Sequence, residues 1–212
     1  MQDVLQFFTN LEKTDYIGEP VSQLEHALQC AYFAEQSGHS EEVILASLFH
    51  DIGHFASHTK QFTMANLGVV NHEWIGAKLA YDAGFSAKVA LLIGNHVNAK
   101  RYLASKKPNY YERLSEASKR TLDFQGGPML ESERNTFEKH PFFKEILQVR
   151  INDEKGKELN LDVPSLDYYV PLIKKHFLAT HVKNELILTD FVDHQWVQAF
   201  KDFLDMKGIE YA

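Results

Sequence analysis

The sequence predicts an all-α fold, a bundle of helices in one domain, on three observations. Apolar residues recur at three- and four-residue spacing through most of the chain. Strand-like alternation is nowhere sustained. The interruptions fall at breaker clusters such as Gln125-Gly126-Gly127-Pro128. At 212 residues the chain can bury a sizeable core without covalent staples.

Each element has a local reason. Val4, Leu5, Phe7, Phe8 and Leu11 have the spacing of a short N-terminal helix, and Gly18-Glu19-Pro20 closes a loop after it. Ser22 with Glu25 forms a capping box for a helix to about Ser37, where Gly38 stops it. Its apolar strip is Leu24, Ala27, Leu28, Ala31 and Ala34, with His26 and Cys30 on the neighbouring strip. Ser40-Glu41-Glu42 opens an apolar helix expected to carry His50 and Asp51. Ala56 to Asn66 reads as a polar loop. Asn71 is expected to cap a helix from His72 to about Ala83, ended by Gly84. Ser86 to about Leu103 reads as a helix weakened at Gly94. Leu114 to Phe124, Ser132 to His140 and Phe142 to Ile151 are three further helices, followed by a charged turn at Glu154-Lys155-Gly156-Lys157. Leu166 to Leu178 and Asn184 to Leu204 complete the count. Residues 1–180 are expected to form the core, with 181–212 a helical extension packed on it.

Composition excludes several function classes. A single cysteine, Cys30, leaves no internal disulfide and suits a reducing compartment. The first residues lack the basic-then-apolar pattern of a secretory signal, and no apolar run is as long as a membrane span. A net charge of −7 with both signs interspersed argues against a nucleic-acid footprint. The expectation is a cytoplasmic protein with neither nucleic-acid nor membrane partner, its oligomeric state open.

The chemistry is concentrated in His26, His50, Asp51, His72, His96 and Asp153. The four histidines fall on different predicted helices, each in or beside an apolar stretch. A carboxylate and imidazoles entering a core together need strong compensation, which a metal ion supplies. The pattern His26, then His50-Asp51, then the distant Asp153 resembles the HD-domain superfamily. His72 and His96 match the members of that superfamily that bind two metals. The resemblance covers roughly residues 10 to 180 and implies an HD-domain helical bundle.

Two chemistries share that framework: metal-dependent phosphohydrolysis of a small phosphate ester or nucleotide, and oxygenation at a mixed-valent di-iron pair. The surrounding motifs favour the second. Asp15-Tyr16-Ile17-Gly18-Glu19, Phe49-His50-Asp51-Ile52-Gly53-His54, Asn95-His96-Val97-Asn98-Ala99-Lys100, Leu122-Asp123-Phe124-Gln125-Gly126-Gly127-Pro128 and Arg150-Ile151-Asn152-Asp153 resemble the phosphonate-degrading oxygenases of the PhnZ type. That resemblance implies two iron ions, Fe(II) and Fe(III), and, as substrates, dioxygen and a small organophosphonate. The expected reaction is cleavage of 2-amino-1-hydroxyethylphosphonate to glycine and phosphate. It further implies that Asp51 bridges the ions, with His26, His50 and Asp153 on the first and His72 and His96 on the second. His54, Lys100, Ser118 and Arg150 match groups around the phosphonate. Glu19 matches a residue that recognises the substrate ammonium. Tyr16 matches a mobile-loop tyrosine that occupies the substrate iron when the site is empty.

Overall fold

The computed structural model describes residues 19–55, 64 and 68–187. Capping explains where its first helix begins. Helix α1 spans Gln23–Gln36; Ser22 Oγ accepts from Glu25 N–H at 3.2 Å, and Glu25 Oε2 accepts from Ser22 N–H at 2.7 Å. That reciprocal pair satisfies two otherwise orphaned donors. His26, Cys30, Ala31 and Ala34 are buried along its inner face. Helix α2, Glu41–Phe49, is buried from Val43 onward and runs through the core.

His50 and Asp51, expected within that helix, instead sit at its C-terminal end, ahead of a 3₁₀ turn over Ile52–Phe55. The backbone turns there because it packs on the next helix at Gly53. A Cβ on Gly53 would lie 1.9 Å from the His72 carbonyl oxygen and 2.6 Å from Gly76 N. Only glycine permits that approach.

Helix α3, His72–Asp82, begins after Asn71, whose backbone is left-handed with φ 58° and whose side chain makes no cap hydrogen bond. The expected capping role is corrected: Asn71 contributes the backbone reversal that asparagine tolerates. Helix α4, Ala87–Lys106, is capped by Ser86 and passes through Gly94 unbroken. A Cβ there would meet the Trp74 ring at 2.6 Å, so the glycine expected to weaken the helix is the seat for an aromatic ring from α3.

Helix α5, Pro108–Arg113, was not expected; Pro108 occupies a first-turn position where its missing N–H costs nothing. Helix α6, Glu116–Phe124, is capped by Ser115 and ends at Gly126 and Gly127, both at positive φ. Helix α7 spans Glu131–Phe137. Helix α8, Phe143–Lys155, continues beyond the predicted Ile151 and so carries Asp153. Helix α9, Leu166–Ile187, is longer than predicted and holds Pro171 inside it.

Helix α4 packs on α2, α3, α5 and α8, and α1 packs on α2 and α8. The N-terminal turn of α1, the C-terminal end of α2, the start of α3 and the middle of α4, which bear the histidines, thus face one another, with α8 closing the group. There is no strand among the described residues, and the fold is an all-α bundle. No described helix is long and apolar enough to cross a membrane. His176, read as structural, accepts from Ser86 N–H at 3.1 Å. The N-terminal helix predicted at Val4 to Leu11 lies outside the described residues. So do the Ala56 to Asn66 loop apart from Met64, and the extension beyond Ile187.

Candidate metal centre

Four backbone carbonyls fix the four histidines. His26 Nδ1 donates to Gly156 O at 2.7 Å, His50 Nδ1 to Ser47 O at 2.9 Å and His96 Nδ1 to Ile93 O at 2.7 Å. His72 Nδ1 lies 3.3 Å from Val69 O and 3.5 Å from Glu73 Oε2. A carbonyl can only accept, so the proton resides on Nδ1 and each Nε2 presents a lone pair. Those lone pairs converge in two places: His26 Nε2 is 3.1 Å from His50 Nε2, and His72 Nε2 is 3.2 Å from His96 Nε2. Rings facing each other through two lone pairs repel unless a cation, a proton or a metal ion, stands between them.

Asp51 connects the two places through different oxygens. Its Oδ2 lies 3.3 Å from His50 Nε2 and 3.7 Å from His26 Nε2. Its Oδ1 lies 3.4 Å from His72 Nε2 and 3.7 Å from His96 Nε2. Asp153 Oδ1 adds a second carboxylate to the first group, 3.6 Å from His26 Nε2 and 3.8 Å from His50 Nε2. All six residues predicted as ligands are therefore brought together, each less than a tenth exposed. Imidazole and carboxylate donors in this number suit a divalent or trivalent transition metal. Their Nδ1 anchors are the outer hydrogen bonds that metal-binding histidines require.

Electrostatics point the same way. Burial, with His50 nearby, lowers His26 to about 4. Burial also opposes a charge on His50, but Asp51 and Asp153 outweigh it and raise His50 to about 9. Burial works against the Asp51 and Asp153 carboxylates as well, yet His50 and, for Asp153, chiefly Arg150 hold both below the usual range. Positive charge is thus favoured at His50 between two carboxylates, the place a metal cation would take.

Two neighbours are not ligands of this kind. Cys30 Sγ is 3.7 Å from both ring nitrogens of His26, so it lies over the ring rather than on the Nε2 lone pair. Burial and the nearby carboxylates push its thiol well up, away from the thiolate that binds metal. His54 has the opposite tautomer to the four ligands: Nδ1 accepts from Val69 N–H at 3.1 Å, leaving Nε2–H as a donor. Its ring stacks on His72 with centroids 3.9 Å apart.

A cleft opens beside the Asp51–His72–His96 group, lined also by Glu19, His54, Lys100, Ser118 and Arg150. Arg150 is buried and ties itself to Asp153 through Nη1 and to Glu154 through Nε, while its Nη2 has no hydrogen-bond partner among the described residues. Lys100 donates to Ser118 O at 3.2 Å and to Thr121 Oγ1 at 2.8 Å; burial and Arg150 lower it to about 7. An unpartnered guanidinium nitrogen, a buried ammonium and an imidazole N–H converging on a cleft make a receptor for a tetrahedral anion. Glu19 reaches this cleft but is engaged, accepting from Ser115 Oγ and from Lys157 Nζ at 2.7 Å. Tyr16 lies outside the described residues.

Sequence reasoning missed four contributors. Glu73 stands beside His72 with a buried Oε2 that no hydrogen bond satisfies; an acid next to a ligand histidine was its only signal. Gly156 supplies the His26 anchor, and Lys157 supplies the partner of Glu19, from the stretch that reads as a charged turn. Gln29 pins that turn by paired hydrogen bonds with Glu158 backbone, 2.7 and 2.9 Å, a contact between distant segments that local pattern cannot reveal.

Residues 24–124 match the HD domain family. The chain is 43% identical over 161 residues to the (1-hydroxy-2-(trimethylamino)ethyl)phosphonate dioxygenase (glycine-betaine-forming) of Leisingera caerulea, covering 76% of this chain and 82% of that one. It is 40% identical over 158 residues to the hydroxymethylphosphonate dioxygenase of Gimesia maris, covering 73% and 77% respectively. An uncharacterised protein, L432 of Acanthamoeba polyphaga mimivirus, is 40% identical over 167 residues, with 78% and 76% covered.

Proposed function

The chain belongs to the HD-domain oxygenases, and from that premise we propose that it cleaves the carbon–phosphorus bond of a 1-hydroxy-2-aminoalkylphosphonate with dioxygen. The reading with the simplest substrate is 2-amino-1-hydroxyethylphosphonate, giving glycine and phosphate. One observation supports a two-ion site above the rest: Asp51 turns Oδ2 toward one histidine pair and Oδ1 toward the other, at 3.3 and 3.4 Å from the nearest Nε2. His26, His50, Asp51 and Asp153 would hold one iron ion, and Asp51, His72 and His96 the other. The Fe(II)/Fe(III) pair supplies dioxygen activation and a Lewis acid for the substrate's oxygens.

The protein's own groups bind and orient. Arg150 Nη2, the Lys100 ammonium, Ser118 and the His54 Nε2–H would surround the phosphonate. Arg150 also anchors Asp153, so phosphonate binding and the first ion's ligand set share one guanidinium. Glu19, with Tyr16 nearby in sequence, would receive the ammonium end. No side chain is required as the nucleophile; the ions would carry the chemistry and the protein would supply position and charge. The related dioxygenases support an oxygen-dependent reaction on a phosphonate, and the anion receptor supports the phosphonate end.

The test is release of phosphate and glycine from 2-amino-1-hydroxyethylphosphonate by iron-loaded protein, with and without dioxygen. Oxygen-dependent release of both products is the expected result. Equal phosphate release without oxygen would overturn the reading in favour of metal-dependent hydrolysis.

A further inference from the structure

Lys157 is built into the cleft from behind. The residue before it gives its carbonyl to His26 Nδ1, and the residue after it is clamped by Gln29 through both backbone groups. With its backbone fixed on both sides, Lys157 delivers its ammonium 2.7 Å from Glu19 Oε1 and 3.5 Å from Ser118 Oγ. Both side chains of the ion pair are largely shielded, Lys157 at 15% and Glu19 at 7% exposed, so solvent screens the pair weakly. Glu19 and Ser118 line the same cleft as Asp51, His72, His96 and Arg150. A carboxylate offered to a substrate cation is thus already neutralised by a cation of the protein.

We propose that Lys157 determines substrate specificity: it stands in for the positive end of the substrate at Glu19 and sets how strongly the cleft selects charged over uncharged tails. The proposal rests on the phosphonate reading above and adds a residue to it. A phosphonate carrying an ammonium must share Glu19 with Lys157, or displace the lysine toward Ser118 and the phosphonate oxygens. A phosphonate with an uncharged tail binds with the Glu19–Lys157 pair intact and meets no bare carboxylate. Removing the lysine charge reverses the balance. Glu19 then attracts an ammonium without competition and repels the dianionic head of an uncharged-tail ligand.

The experiment measures binding, not turnover. Affinities of 2-amino-1-hydroxyethylphosphonate and 1-hydroxyethylphosphonate are determined by calorimetry on iron-loaded, oxygen-free full-length protein, for the wild type, Lys157→Met and Lys157→Arg. Lys157→Met is expected to shift the affinity ratio at least tenfold toward the amino compound, equivalent to about 1.4 kcal/mol. Lys157→Arg, which keeps the charge, is expected to stay near the wild-type ratio. A parallel loss of both affinities with the ratio unmoved marks a merely structural lysine and overturns the proposal, as does failure of every variant to bind either compound. The expected ratio shift in a protein that releases no phosphate with oxygen would leave Lys157 in this role while the oxygenase reading falls.

Discussion

Replacing Gly156 by alanine strikes the joint between the first histidine and the turn that carries Lys157. The added Cβ would lie 2.4 Å from Cys30 Sγ, 3.1 Å from His26 O and 3.2 Å from His26 Nδ1. Cys30 is fully buried, so its sulfur has nowhere to retreat, and the Gly156 carbonyl must shift from His26. Overpacking of this kind costs about 1–3 kcal/mol. Loosening the hydrogen bond behind a ligand histidine costs about 10–100-fold in metal affinity. Cys30→Ala removes the sulfur in the way, at a cost of about 1 kcal/mol by itself. If the clash is the cause, the double variant regains about 0.5–3 kcal/mol relative to the sum of the singles. Urea unfolding of the metal-free chain and metal titration of the four proteins measure both quantities. Gly156→Ala with wild-type stability and metal affinity, or single effects that simply add, would refute the reasoning.

His54→Phe, which keeps a ring over His72 and removes the N–H donor, should keep the full metal content while weakening phosphonate binding by about tenfold, the value of a lost hydrogen bond to a charged group; metal analysis with calorimetry checks it, and loss of one ion would make His54 a ligand. Glu73→Gln should lower affinity for the ion at His72 and His96 by about 10–100-fold and leave the other ion in place, as read from a stepwise metal titration. Burial and Arg150 bring Lys100 to about 7, so its charge is present below that pH and lost above it. Phosphonate affinity should therefore fall as pH rises through 7, and Lys100→Arg, charged throughout, should flatten the fall. Calorimetry across that range, corrected for ionisation of the ligand itself, is the measurement.

The helices were largely legible because local signals specify them, and the ligand set because its motifs resemble a known family. Ser22 with Glu25 and Ser86 mark helix starts that the structure uses, and His26, His50-Asp51, His72, His96 and Asp153 converge as the family resemblance implied. What escaped the sequence is what depends on contact between distant segments. Gly94 looked like a weak point because the Trp74 ring that fills its space comes from another helix. His50 and Asp51 looked helical because Gly53's approach to the His72 carbonyl, which forces the turn, is tertiary. Helix α8 runs on through Asp153 because Arg150 pairs with Asp153 and Glu154 along one face, in the stretch that reads as a charged turn. Lys157 read only as part of a charged turn; the Gln29 clamp, a contact between distant segments, is what holds it toward Glu19.

The claim on which all of this depends is that Asp51 joins two ions, one at each histidine pair. Iron bound per chain after anaerobic loading, compared between the wild type and Asp51→Asn, tests it most directly. The account predicts two iron ions per wild-type chain and loss of the coupled pair in Asp51→Asn. One ion per chain in the wild type, or two ions still magnetically coupled without the Asp51 carboxylate, would contradict it.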